Sequence, residues 1–251
     1  MAEIQQKQAD VGWDPYLRPV DREVFAAAGF GARLGFGKRP VLLVVDATYA
    51  FCGDRPEPIL ESVKRWRASS GEAAWAALDH ITRLLGAARS AGVPVIFTAP
   101  GGGSNPLVRG LWSQANPRSV GESARDPRAY DVVEDVAPLP DELLISKPKP
   151  SAFFGTQLIG QLTLLGADSV VVCGGVTSGC IRATAVDAFS HNLRVAVVRE
   201  ATFDRCDASH WVSLLDIDQK YGDMVGTEDV ERFFAGQQAG APVPDGAPSA
   251  V

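Results

Sequence analysis

Two hydrophobic rhythms alternate along this chain. Short runs that are apolar on both faces stand at residues 41–45 (VLLVV), 93–98 (VPVIFT), 143–145, 170–172 and 193–198, with a shorter one at 223–225. Such runs predict parallel strands covered by helices on both sides. Pro94 suits a strand start better than a strand centre. Between them the apolar spacing becomes helical. Residues 73–90 carry Trp75, Leu78, Ile81, Leu85 and Ala88 at helix-like intervals, and residues 155–166 carry Leu158, Ile159, Leu162 and Leu165. A further helix is expected from Gly179, with Ile181, Ala185, Ala188 and Phe189 on or near one face, and two more over 207–220 and 227–234. Strands alternating with helices predict an α/β domain, a Rossmann-like three-layer αβα arrangement around a mainly parallel six-stranded sheet.

The pattern fails in three places. Residues 1–38 form an irregular arm with Trp13, Pro15, Tyr16 and Pro19 and a helical patch over 21–28. Such an arm packs either on a neighbouring subunit or on its own domain. Residues 99–130 are rich in Gly, Pro and Ser, a long connection of the kind usually tied to function. Leu107, Leu111 and Trp112 suggest that it packs down as a lid or interface. After residue 235 the chain turns small and Pro-rich, and a flexible tail is expected. The division is thus an arm (1–38), one globular domain (39–235) and a tail (236–251), without internal repeats.

Composition narrows the function classes. At 251 residues and 46% hydrophobic, the chain has ample material for one core. A net charge of −6 carries no basic footprint for nucleic acid, and no lysine-rich helix suggests a membrane surface. No apolar run approaches the ~20 residues that span a bilayer, and the polar opening MAEIQQKQAD is not expected to act as a signal peptide. Four scattered cysteines without a CxxC pair point to reduced thiols and a cytoplasmic setting.

Three reactive residues stand where predicted strands end. Asp46 closes the first apolar run, Lys147 follows the 143–145 run, and Cys180 comes after SVVVCGGVTSG, where a strand gives way to a helix. In parallel sheets ligands bind beyond the carboxyl ends of the strands, so the three should converge on one edge. Gly174 and Gly175 allow a sharp turn, and Thr177 and Ser178 are candidate N-caps. A thiol near a helix N-terminus is favoured as thiolate. Blander readings exist for each. Cys180 can be a small buried core residue, Asp46 a loop carboxylate and Lys147 a solvated lysine, with Lys149 close by as the rival position. Cys52, Cys173 and Cys206 read as structural.

The pieces VVD (44–46), KPKPSAFFGT (147–156), GGVTSGCIRATAVDA (174–188) and DIDQKYGD (216–223), in that order and spacing, resemble the isochorismatase-like cysteine hydrolases. Within them the chain is most similar to the N-carbamoylsarcosine amidohydrolase group, and the resemblance extends over about residues 38–230. It implies that Cys180 attacks an amide or ureido carbonyl, that Asp46 moves the protons, and that Lys147 holds the Asp46 carboxylate. It also implies a cis peptide at Gly175–Val176, which pairs the Val176 and Cys180 N–H groups as an oxyanion hole. Arg205 would hold a substrate carboxylate, Phe51 would wall the pocket unless it is simply core, and Thr177 would either bond substrate or cap the helix. Trp112 joins them as a candidate pocket residue. The metal-bearing nicotinamidases of this superfamily carry histidines after the second strand; residues 97–130 hold none here, so neither metal nor cofactor is expected. Isochorismatases proper lack the cysteine, which argues against vinyl-ether cleavage. The glycines at 101–103 lack a following GK[ST] and make a weak phosphate loop. The function implied is release of ammonia from a small linear amide or N-carbamoyl compound of the N-carbamoylsarcosine, biuret or maleamate type, by a homodimer or homotetramer. The alternatives are amidase action on an aryl or ring-bearing amide, and a catalytically silent binding protein of the same fold.

Overall fold

The computed structural model describes residues 12–101, 110–111 and 126–237. Trp112 and Leu107, and with them most of the expected lid, lie outside the described residues, as does the tail beyond residue 237. Six strands are present: β1 (Pro40–Val45), β2 (Val95–Pro100), β3 (Leu143–Lys147), β4 (Ser169–Gly175), β5 (Arg194–Phe203) and β6 (Asp223–Val225). They form one sheet in the order β3-β2-β1-β4-β5-β6. Every neighbouring pair is parallel. The chain runs outward from β1 to β3, returns, and runs outward again from β4 to β6. The direction therefore reverses between β1 and β4, which is where such sheets open a crevice for ligands.

The helices are α1 (Pro19–Ala28), α2 (Tyr49–Cys52), α3 (Ile59–Ser62), α4 (Glu72–Ser90), α5 (Leu158–Leu164), α6 (Arg182–Ser190), α7 (Asp207–Lys220) and α8 (Thr227–Ala235). The period of two along the strands sorts the core into two layers. Leu42 and Val44 of β1 face the side of α4 and α8, packing in one cluster with Leu78, Ile81, Leu85, Val230 and Phe234. Val41, Leu43 and Val45 face the opposite side, packing with Leu158, Leu162, Ala185 and Leu214 from α5, α6 and α7, and with Ile181 just ahead of α6. Strand β1 is buried along its whole length, which accounts for its unbroken apolar run. Each such side chain removed from water contributes about 1.5–3 kcal/mol.

Several boundaries move. Strand β5 continues to Phe203, five residues past the predicted end, because after a register shift in which β5 carries the extra residues, Thr202 and Phe203 pair with Gly174 and Gly175. Helix α5 begins at Leu158 rather than 155, since Gly155 sits at φ +70° and the Thr156 hydroxyl bonds back to the Ala152 carbonyl. The described part of the N-terminal arm lies on its own domain. Trp13 is buried against the α7 side, the Asp168 carboxylate takes the Lys38 and Arg39 N–H groups, and Asp223 takes those of Leu34 and Gly35. Arg33 forks onto Asp218. The DIDQKYGD stretch thus has a visible structural task, holding the arm. Among the described residues no helix is long and apolar enough to cross a membrane.

Candidate active site

Asp46 follows β1 in a left-handed conformation, φ +51°, which a short polar side chain tolerates. Its N–H bonds the Thr98 carbonyl of β2, and the Thr98 hydroxyl donates to Asp46 Oδ1 at 2.9 Å. One carboxylate oxygen is thereby held and the other, Oδ2, faces the ammonium of Lys147 at 2.7 Å. Lys147 ends β3, two strands away, and its long stem brings Nζ across the sheet edge. That nitrogen also lies 3.3 Å from Cys180 Sγ and 3.1 Å from the Lys149 carbonyl. Nζ donates to the Lys149 carbonyl and the Cys180 sulfur, while its contact with Asp46 Oδ2 is an ion pair, that oxygen having no hydrogen-bond partner among the described residues. Lys149 contributes a backbone carbonyl, which separates it from its neighbour two residues back.

Asp46 is wholly buried and Lys147 nearly so, at 0% and 4% exposure. Burial alone would push the lysine toward its neutral form, yet the Asp46 carboxylate and the Cys180 sulfur outweigh it and hold the Lys147 pKa above its ordinary value. Cys180 goes the other way from the thiolate expected of a helix start. Burial and the nearby Asp46 carboxylate push its thiol up to about 12, against the opposing pull of Lys147. The reason is local: Cys180 sits in a π-helical turn, Thr177–Ile181, ahead of α6, and is 7% exposed. Burial and the Asp46 carboxylate thus favour the thiol over the thiolate at Cys180.

The turn that carries Cys180 depends on two glycines. At Gly174, φ +107°, a Cβ would lie 2.0 Å from the Val45 carbonyl oxygen; at Gly175 it would lie 2.2 Å from the Phe203 ring. The Gly175–Val176 peptide is cis, as the resemblance implied. Around the turn, the Gly179 and Ile181 N–H groups bond the Val176 carbonyl, and the Ser178 N–H donates to Asp204 Oδ2 at 2.7 Å. The Val176 and Cys180 N–H groups, expected as the oxyanion pair, belong to this same stretch.

The other expected residues fall into two groups. Arg205 and Phe51 come together: the guanidinium centre stands 5.6 Å from the Phe51 ring centroid, and Arg205 Nε donates to the Ala68 carbonyl at 2.7 Å. Both side chains are half-buried, and Phe51 also packs against the core cluster on the α4 side. Thr177 is not a helix cap. The N-cap of the turn is Val176, with no side-chain capping bond, and Ser178 is served by Asp204 from a distant segment instead. The Thr177 side chain is fully buried, and its hydroxyl donates to the Phe203 carbonyl at 3.0 Å and meets His210 Nδ1 at 2.8 Å. These protein partners, not an open pocket, account for its orientation. His210 was invisible to motif reading, which weighed histidines only as metal ligands; its place depends on α7 folding back over the turn. Burial depresses its pKa, opposed by Asp204 and Asp207. Among the described residues no three His, Cys, Asp or Glu side chains gather as metal ligands do.

An all-parallel six-stranded sheet with this reactive cluster at its switch point is an isochorismatase-like α/β fold. A cysteine hydrolase from Pseudomonas syringae pv. phaseolicola shares it with a TM-score of 0.72 at 24% identity, over 82% of this chain and 97% of that one. The chain belongs to the isochorismatase family, residues 40–229 matching the isochorismatase domain. Among curated relatives it is 36% identical over 209 residues to maleamate amidohydrolase from Pseudomonas putida, covering 80% of this chain and 89% of that protein. It is 29% identical over 221 residues to N-carbamoylsarcosine amidase from Arthrobacter, covering 84% and 77%.

Proposed function

We propose that this protein is a cysteine amidohydrolase that releases ammonia from a small linear amide bearing a carboxylate, of the maleamate type. The two curated relatives named above are amidohydrolases, which supports a hydrolase of C–N bonds other than peptide bonds. The observation that carries the reading is Lys147 Nζ within 2.7 Å of Asp46 and 3.3 Å of Cys180 in a nearly dry site. Asp46 takes the thiol proton as Cys180 Sγ bonds the carbonyl carbon, and the oxygen's charge is met by the Val176 and Cys180 N–H groups. Collapse breaks the C–N bond, and the proton on Asp46 leaves with the nitrogen as ammonia. Water then attacks the thioester, gives a proton to Asp46 and frees the acid; the thiol regains the proton. Lys147 stays an ammonium throughout, fixing Asp46 and stabilising charge on sulfur. Arg205, braced by Phe51 and Ala68, pairs with the carboxylate of the substrate.

The test is ammonia release from maleamate, N-carbamoylsarcosine, biuret and nicotinamide by the native enzyme and by Cys180→Ala. Release from a carboxylate-bearing substrate and its loss in the variant are expected. Release that persists in Cys180→Ala overturns the mechanism, and preference for biuret or nicotinamide overturns the role given to Arg205.

A further inference from the structure

The nucleophile turn is tied to the end of β5 by two side chains that no step of the proposed chemistry uses. Asp204 bridges: Oδ2 accepts from the Ser178 N–H at 2.7 Å, and Oδ1 accepts from the Arg205 N–H at 2.7 Å. One carboxylate therefore joins the turn bearing Cys180 to the residue assigned to the substrate's carboxylate. Beside it, Thr177 has a single hydroxyl hydrogen. The Phe203 carbonyl can only accept, so that hydrogen goes to Phe203, and the contact with His210 must be a donation from Nδ1–H to the Thr177 oxygen. The depressed pKa of His210 is consistent with a neutral ring carrying its proton on Nδ1. His210 belongs to α7, which begins two residues after Arg205, so Phe203, Asp204 and His210 together brace one short turn.

We propose that Asp204 and His210 are positioning residues: through Ser178, Thr177 and Arg205 they set the distance between the attacking sulfur and the carboxylate-binding guanidinium. This rests on the reading of Cys180 as nucleophile. Neither residue touches the reacting atoms. Their effect follows from the steep dependence of rate on geometry, where a shift of about 1 Å costs about 100-fold.

The experiment compares steady-state kinetics on maleamate for the native enzyme, Cys180→Ala, Asp204→Asn, His210→Ala, Thr177→Val and Thr177→Ser, with circular dichroism and melting to identify folded variants. Asp204→Asn keeps one acceptor oxygen and so must leave one N–H without its partner. It is expected to lower kcat about 10- to 100-fold and to raise KM, because turn and guanidinium shift against each other. His210→Ala and Thr177→Val are expected to lower kcat over the same range with little change in KM, and Thr177→Ser, which restores the hydroxyl, regains most of that loss. A merely stabilising role would lower the melting temperature without this split between kcat and KM. If Cys180→Ala is dead while folded Asp204→Asn and His210→Ala keep kcat and KM within about twofold, the positioning role is overturned and the nucleophile stands. If Cys180→Ala retains activity, both readings fall.

Discussion

At the scale of single residues, the site works by holding charges where water cannot reach them. Lys147 and Asp46 are buried to within a few percent and lie 2.7 Å apart. Removing one leaves the other uncompensated, which costs about 3–5 kcal/mol. Lys147→Met should therefore destabilise strongly as well as abolish turnover, and the double variant Lys147→Met, Asp46→Asn should recover part of the stability but none of the activity. Urea denaturation of the pair of variants checks this. Two cysteines make the opposite comparison. Burial and a nearby carboxylate raise the Cys180 thiol to about 12, whereas hydrogen bonds from Ser209 and Ala208 lower that of exposed Cys206. The two shifts run in opposite directions, so labelling of Cys206 should set in at lower pH than labelling of Cys180. Peptide mapping after iodoacetamide treatment should find Cys206 labelled first, the reverse of what sequence position alone led one to expect for Cys180.

At the scale of elements, strand ends do the placing. Asp46, Lys147 and Cys180 lie 101 and 33 residues apart in sequence; the parallel order β3-β2-β1-β4 brings their strands to one edge. The β4 end passes so close to β1 that only glycine fits at 174. Gly174→Ala should cost about 1–3 kcal/mol from its left-handed backbone alone, and more from the clash with the Val45 carbonyl. Its denaturation midpoint should fall well below that of a surface control such as Gly86→Ala, a helical position with open space around it. Most elements were legible from the two hydrophobic periods, because a strand buried on both faces and a helix buried on one leave different marks. The distal half of β5 was not, since Glu200 and Thr202 break the apolar run and only pairing with Gly174 and Gly175 makes it a strand. The start of α5 was misread for a related reason: the apolar rhythm reaches back through residue 155, but a positive φ there ends the helix.

At the scale of the whole molecule, the arm completes the fold from outside. Arg33 bonds Asp218 and approaches Asp223, carboxylates that are themselves almost fully buried. Arg33→Met leaves both facing an apolar neighbour; with the arginine about one-third exposed, the loss is expected near 2 kcal/mol rather than the full cost of a buried pair. The melting temperature should fall while KM for the substrate stays put, since the arm does not reach the Cys180 turn by any described bond.

By itself the sequence determined the layering of the domain, the parallel character of its sheet and the three residues that meet at the switch point. The layering and the strand-end positions follow from local hydrophobic period and from the rule that strand ends face the ligand, both written in consecutive residues, while the choice of Lys147 over Lys149 came from the family spacing to Ser151. Tertiary structure alone decided the burial that raises the Cys180 pKa, the partners of Thr177, the bracing of Arg205 by Ala68 and Phe51, and the side on which the arm lies. Each of these depends on burial or on contact between segments far apart in the chain. Desolvation energy and hydrogen-bond partnership are properties of the packed surroundings, which no single stretch of sequence contains.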